Sequence, residues 1–277
     1  MADLSKGLYE QLISRAVDDA LRLADENRLT AERQALDPAD SHELLTRHVA
    51  GVLRRVLRAL PEKNRIQQQV EICNALLLVL REKHVEAASS GESVLSPAEA
   101  LLAVLEARAT PAGDTEVLPR PHVPLSASDL LVNARGEPAV GHALDREIPS
   151  ADRIDLLCAF VRWNGLRLLL PRLRTHCAQG RPLRVITTTY TGTTERRALD
   201  ELVRMGAQVR VSYETRSTRL HAKAWLFGRD TGFSTAYIGS SNLTQWALVD
   251  GLEWNVRLSQ VTSPDILEKF QATFDSY

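Results

Sequence analysis

Over the first hundred residues apolar side chains return every three or four positions, the period of a helix with one buried stripe. Leu8, Leu12, Ala16, Ala20 and Leu23 mark a first such run, from Leu4 to about Asn27. A second opens at Ser41 and runs through Leu44, Leu45, His48, Val52, Val56 and Leu60. A third follows Pro61, with Ile66, Val70, Cys73, Leu77 and Leu80 on its stripe. Ser96-Pro97 sets a capping hydroxyl before a proline at the first helical position, which predicts a shorter fourth helix. The pattern therefore predicts an all-α N-terminal domain over residues 1–110.

Four prolines, Pro111, Pro119, Pro121 and Pro124, then replace the periodicity, and 111–124 reads as an inter-domain linker. After it the rhythm changes. Short runs rich in β-branched residues alternate with helical patterns: strand 154–160, helix 165–179, strand 183–188, helix 194–205, strand 208–213. This βαβαβ order predicts an α/β domain over 125–277, built on a mixed or parallel sheet with covered faces. Further strands are expected at 220–227, 235–238 and 252–257, spaced closely enough to be partly antiparallel.

Composition narrows the function classes without naming one. The chain has 277 residues, enough for two modest domains, with 44% hydrophobic and 25% charged residues. That is ordinary for a globular protein and excludes collagen-like, low-complexity and disordered classes. A net charge of −1 supplies no global positive field, so a polyanion must be met by a local basic patch, and a polybasic-tail reading is excluded. Cys73, Cys158 and Cys177 are odd in number and form no C-x-x-C pair, which predicts a reduced, cytoplasmic protein without a zinc cluster. The first residues lack a basic, then apolar, leader, and no run reaches membrane-spanning length, so neither secretion nor membrane insertion is expected.

Lysine is scarce, occurring only at 6, 63, 83, 223 and 269. One of the five falls in Arg219-Leu220-His221-Ala222-Lys223, where strand alternation places Arg219, His221 and Lys223 on one face as a basic row for an anion. An H-x-K tripeptide arises by chance about 0.13 times in a chain of this composition, so its setting decides. That setting is Tyr237-Ile238-Gly239-Ser240-Ser241-Asn242-Leu243, a strand ending in small polar residues before an expected helix at 243–248. Free N–H groups at the helix start, with the serine hydroxyls and the Asn242 amide, suit phosphate oxygens. In Gly251-Leu252-Glu253-Trp254-Asn255-Val256, alternation turns Leu252, Trp254 and Val256 inward and leaves Glu253 with Asn255 on the other face. From there the carboxylate can orient an imidazole and support its charge. Plainer readings exist for several of these: Asn242 as a helix cap, Glu253 as an arginine partner, Ser240 and Ser241 as turn formers, Arg216 and Arg219 as a solvated face. The loop 187–194, with Thr188, is either an anion site or a threonine-rich connection. His142 and His176 read as structural.

The ordered set His221, Lys223, Gly239-Ser240-Ser241-Asn242 and Glu253 resembles the phospholipase D superfamily, whose signature is H-x-K, then G-S-x-N and a downstream glutamate. Thr187-Thr188-Thr189-Tyr190-Thr191-Gly192 and residues 234–254 look like the nuclease-type domain at the front of certain bacterial superfamily-2 helicases. The resemblance runs from about Leu125 to the C-terminus and implies an α/β/α sandwich. One position departs from it: the aspartate usual five residues after the lysine is Gly228 here.

The resemblance implies a metal-independent, cofactor-free phosphodiester cut in two steps, through a phosphohistidine, with a second imidazole protonating the leaving oxygen. With one motif per chain, the second His221, Lys223 and Asn242 are expected from an identical subunit. His221, Lys223, Asn242 and Glu253 are the implied catalytic set, and Ser240, Ser241, Arg219 and Thr188 the substrate-binding set. The substrate class is DNA, with RNA left open. The alternative is a non-catalytic nucleic-acid-binding or dimerisation module that keeps the same pocket. No G-x-x-x-x-G-K-[ST] loop occurs, so an associated helicase is expected on missing sequence or another chain, and the chain end soon after Glu253 reads as that of an excised fragment.

Overall fold

The computed structural model describes residues 5–26, 30–84, 89–104, 119–134, 136–214, 216 and 219–277. The chain divides into two compact units, Met1–Glu106 and Ala107–Tyr277.

The first unit contains α1 (Arg15–Glu26), α2 (Ser41–Ala59) and α3 (Arg65–Lys83). Side chains of α3 hold the end of α2, Arg65 Nε donating to the Leu60 carbonyl and Gln69 Nε2 to that of Leu57, both at 3.0 Å. Asn74 bonds both backbone groups of Val94, at 2.9 and 3.0 Å, and so straps the following segment to α3. Neither α2 nor α3 buries a residue, and their apolar stripes face outward at Val49, Val56, Ile66 and Leu80. The helix expected after Ser96-Pro97 does not form through residue 104. Leu101, Leu102 and Val104 stay exposed there, and without apolar cover a short helix does not repay its nucleation cost. Residues 105–118, which hold part of the expected linker, lie outside the described residues.

The second unit is a mixed α/β fold on one seven-stranded sheet. Its elements are β1 (Asp129–Val132), α4 (Val140–Glu147), β2 (Arg153–Cys158), α5 (Trp163–Ala178), β3 (Leu183–Thr188), α6 (Arg196–Arg204) and β4 (Gln208–Ser212). Then follow β5 (Lys223–Gly228), β6 (Thr235–Gly239), β7 (Trp254–Ser259) and α7 (Pro264–Ser276). The strand order is β1-β7-β6-β5-β2-β3-β4. Strands β2, β3 and β4 run parallel through their helical crossovers, while every other pairing is antiparallel. The alternation read from 154–213 thus produces the parallel half, and the closely spaced runs after it the antiparallel half.

Helices cover both faces. On one face Leu144 of α4, Leu166, Leu169 and Leu173 of α5 and Leu202 of α6 join the main core with Ile154, Leu156 and Val185 of the sheet. On the other, Leu267 of α7 is buried with Leu226 and Ala236, and Leu258 and Phe270 pack against them. His176 is buried with its Nε2 3.0 Å from the Pro182 carbonyl, a structural place as expected.

Two facings differ from the sequence pattern. Strand β5 starts at Lys223, so Arg219 and His221 precede it and do not share its alternation. Its neighbour β2 ends opposite at Cys158, and beyond that rung only the Ala159 N–H reaches back, to the Ala222 carbonyl at 3.1 Å. On β7 the expected facing is reversed: Asn255 and Arg257 are buried, while Leu252, Trp254 and Val256 are exposed. The cause is a buried carboxylate, Glu147 at the end of α4.

Both Glu147 oxygens are saturated. Arg229 Nη2 and Thr235 Oγ1 donate to one, and Arg257 Nε and Tyr237 OH, each at 2.9 Å, to the other. Arg257 also donates Nη1 to the carbonyls of Pro124 and Ala127, at 3.0 and 2.6 Å, tying the segment before β1 into the core. A buried charge is tolerated only when paired and hydrogen-bonded, so the polar side of β7 turns inward to meet it.

Candidate active site

The chemistry-bearing residues of the sequence converge on one end of the sheet. His221 comes from the approach to β5 and Lys223 from its first residue, Asn242 from the turn after β6, and Glu253 from the approach to β7. Because β5 and β7 run opposite to β6, two strand starts and one strand end share this edge.

Lys223 Nζ lies 2.9 and 3.1 Å from the two ring nitrogens of His221 and donates to its carbonyl at 2.7 Å. The ring also meets Phe160 edge-on, 5.9 Å between centroids. Burial pulls the Lys223 ammonium below the ordinary lysine value, while the neighbouring Cys158 and Glu253 work against that pull.

Asn242 is fixed by its carbonyl. Its Oδ1 accepts from the Phe160 N–H at 3.1 Å, and the Cys158 thiol lies 3.9 Å away. That locks the amide to the turn after β2 and leaves Nδ2 as its donor end. Cys158 is a scaffold residue: its thiol donates to the Phe160 carbonyl, its sulfur accepts from the Leu243 N–H, and burial pushes its pKa up to about 11.

Glu253 does not reach the His221 ring. Its carboxylate accepts from the Ser240 hydroxyl, which in turn accepts from the Trp254 N–H at 3.1 Å. Ser240 thus buttresses Glu253. Ser241 is buried, and its hydroxyl accepts from Asn255 Nδ2 at 2.8 Å, so it braces the turn from behind. Gly239 permits the tight approach of these strands, since a Cβ there would stand 2.2 Å from the Trp254 carbonyl oxygen.

The helix expected at 243–248 is a single π-helical turn, Trp246–Asp250. The backbone donors foreseen for phosphate are engaged: Leu243 N–H bonds the Phe160 carbonyl, Thr244 N–H that of Asn242, and Gln245 N–H the Asn164 side chain. Gly165 on α5 lies against the 243–244 backbone, where a Cβ would come within 2.5 Å, and this close packing replaces an open helix start.

Thr188 is buried, donates to the Ser212 carbonyl at 3.0 Å and accepts from the Tyr190 N–H at 3.1 Å. It shapes the loop after β3 instead of touching ligand. Thr194, on the same loop, donates to the Ala159 carbonyl at 3.2 Å. Arg219 is exposed and sits over the Tyr190 ring, 5.3 Å from its centroid, with Nη1 3.3 Å from the phenol oxygen. Phe160 and Tyr190, which stand beside these groups, are isolated aromatics that carry no periodic signal in the sequence.

Gly228 also has a structural account. A Cβ there would lie 2.7 Å from Arg153 Cγ, so the Arg153 side chain fills the space beside the backbone. Among the described residues no group of three or more His, Cys, Asp or Glu is arranged to hold a metal ion, and no helix is long and apolar enough to cross a membrane.

Comparison with known proteins places this geometry. The family described as "Cardiolipin synthase, PLD-like domain" matches residues 145–277. Among solved structures the chain is similar to the phospholipase D family member Nuc from Salmonella typhimurium, at 17% identity and a TM-score of 0.43, over 54% of this chain and 92% of that one. It is similar to NucT from Helicobacter pylori at 12% identity and a TM-score of 0.42, over 54% and 94%. A yeast tyrosyl-DNA phosphodiesterase 1 variant follows at 13% identity and a TM-score of 0.35, over 47% and 31%. No curated protein sequence matches the chain. The family match spans the strands and turns that carry His221, Lys223, Asn242 and Glu253, so residues 145–277 are similar to a PLD-like domain.

Proposed function

We propose that the chain is a phosphodiesterase that cleaves DNA through a phosphohistidine at His221, in a site completed by a second copy. The observation that carries this reading is the His221 ring held against Lys223 Nζ, with the Asn242 amide fixed beside it on the turn after β2. The His221 ring nitrogen attacks phosphorus, forming an N–P bond as the P–O bond to the leaving group breaks. The partner imidazole gives its proton to the leaving oxygen. Water then attacks phosphorus, loses a proton to that same imidazole, and the N–P bond breaks. Lys223 and Asn242 Nδ2 neutralise and bond the non-bridging oxygens as charge builds. Glu253, steadied by Ser240, adds negative charge near Lys223 and keeps its ammonium protonated.

The test is cleavage of labelled DNA by the full chain in EDTA, with an alkaline quench to trap label on the protein. Continued cleavage and label at His221 support the reading. Strictly metal-dependent cleavage overturns it, and salt-sensitive binding without turnover points to the non-catalytic module.

The need for a second imidazole is supported by a bare sheet face. Helix α7 covers β5 to β7 only at Leu226, Ala236 and Leu258, and toward the site Leu130, Ile238, Trp254 and Val256 lie exposed. The register sets Val256 opposite both Leu130 and Ile238, so these side chains adjoin. A contiguous apolar patch of this kind marks an interface, and its place beside Ser240 and Glu253 suits a two-fold partner that brings its own His221. Trp254→Glu should convert a dimer to monomer by sedimentation and lower DNA cleavage at least about tenfold. A dimer that survives unchanged removes the patch from the interface.

Lys223 also sets a pH limit. Its ammonium is held below the ordinary lysine value, near 10.4, so rising pH removes the proton earlier than in a free lysine. The alkaline limb of the pH-rate profile should accordingly fall below that pH, and in Lys223→Arg it should shift upward.

A further inference from the structure

Three arginines gather around the start of α5, beside the turn that carries Asn242. Arg162 is the N-cap of α5, in the loop after β2, and its backbone N–H donates to the Leu243 carbonyl at 3.0 Å. Its side chain meets Glu195, the N-cap of α6: Arg162 Nε donates to one carboxylate oxygen at 3.1 Å, and the Trp163 N–H to the other at 2.9 Å. Arg197 of α6 lies over the Trp163 ring, its guanidinium carbon 4.0 Å from the centroid. Arg167, one turn further along α5 and therefore on the same face as Trp163, donates Nη2 to the Gln245 side chain at 3.0 Å. Gln245 follows Asn242 by three residues, and its N–H is held by the Asn164 side chain of α5.

These contacts join α5, α6 and the Asn242 turn into one network, in which Glu195 is the one carboxylate against three guanidiniums. All three arginines are exposed. Glu195 engages Arg162 at Nε alone, so the Nη1 and Nη2 ends have no protein partner among the described residues. The Arg197 guanidinium rests on a ring face, which presets its position without spending its N–H donors. A surface ion pair is worth at most about 1 kcal/mol, so fold stability does not account for gathering cations here. Guanidinium forks match phosphate oxygens, and a chain of net charge −1 must meet a polyanion through a local patch of this kind.

We infer that Arg162, Arg167 and Arg197 hold backbone phosphates of a nucleic-acid strand next to the phosphate at His221. The inference rests on the phosphodiesterase reading of the site and adds the surface that retains the rest of the polymer.

The experiment measures fluorescence anisotropy of labelled dT20 across a salt series, with the full chain in a His221→Ala background, which prevents cleavage. Each phosphate contact to a single strand contributes about 0.7 to the slope of log affinity against log salt. Replacing all three arginines with alanine should therefore flatten that slope by about 2 and weaken binding at least about tenfold. Replacing all three with lysine keeps the charges and should keep most of the slope. Arg172→Ala removes another exposed charge of α5, one that pairs with Asp145, and should leave the slope unchanged. A triple alanine variant with the parent slope, or a slope loss that Arg172→Ala matches, overturns the track. So does a loss of binding to phosphatidylglycerol vesicles with dT20 binding intact, which would mark a membrane surface. Hydrolysis of bis(p-nitrophenyl) phosphate by the unmodified chain tests the underlying reading separately. An arginine-dependent slope without hydrolysis keeps the track and removes the hydrolase, and hydrolysis with an arginine-independent slope does the reverse.

Discussion

Glu147→Ala is expected to cost the α/β unit about 3–5 kcal/mol, a large share of the 5–15 kcal/mol that folded domains hold in total. The carboxylate accepts from Arg229, Arg257, Thr235 and Tyr237, and both guanidiniums are buried. Arg257 Nη2 already lacks a partner, so removing the one anion leaves two buried cations facing each other across a void. Urea denaturation followed by circular dichroism should show the midpoint fall, and Glu147→Gln, which keeps the volume but not the charge, should fall with it. A change below about 1 kcal/mol in both would show that water or a shift of the arginines replaces the carboxylate.

The same group predicts an acid limit. Burial opposes the charge of Glu147, yet Arg229 and Arg257 outweigh burial and hold its pKa below the ordinary glutamate value. A pKa depressed in the folded chain gives stability that is complete above the unfolded value, about 4.3, and is lost as pH falls through the lower folded value. Unfolding midpoints should therefore drop below about pH 4, and the drop should be smaller in Glu147→Gln.

His221→Ala should lower DNA cleavage by at least about 10³-fold without moving the unfolding midpoint, because the ring is exposed and supports no core. Mixing sharpens the prediction. If each site needs an imidazole from both copies, one variant chain silences the dimer it joins. Co-expressed in equal amounts with unmodified chain and paired at random, the variant should leave roughly a quarter of the activity per dimer, where independent protomers would leave roughly half. An observed half would show that each chain works alone.

The parallel half of the sheet was legible because β2 to β4 and their helices repeat one simple alternation, with the β-branched Ile154, Val185 and Val209 inside their strands. The convergence of the candidate residues at one end of the sheet was legible too, since His221, Lys223 and Asn242 lie close to strands whose ends the apolar runs mark. The facings of β7 were not. Leu252, Trp254 and Val256 look like an inward row until Glu147 is known to lie behind the sheet, and that residue is 110 positions from its partner Arg257. The strand expected at 220–227 starts only at Lys223 for a related reason: strand length depends on where β2 stops, which residues 219–223 do not encode. The open helix start after Asn242 was likewise invisible as an error, since its loss depends on Gly165, which admits the 243–244 backbone against α5.

The order of the strands separates two tasks. The groups proposed to act at phosphorus all come from the antiparallel half, around β5, β6 and β7, whereas the loops of the parallel half follow β2, β3 and β4. Selection, or a protein engineer, can then rewrite the β3 and β4 loops to retarget the molecule while its reactive centre stays untouched, much as a tool keeps its handle when the bit is changed.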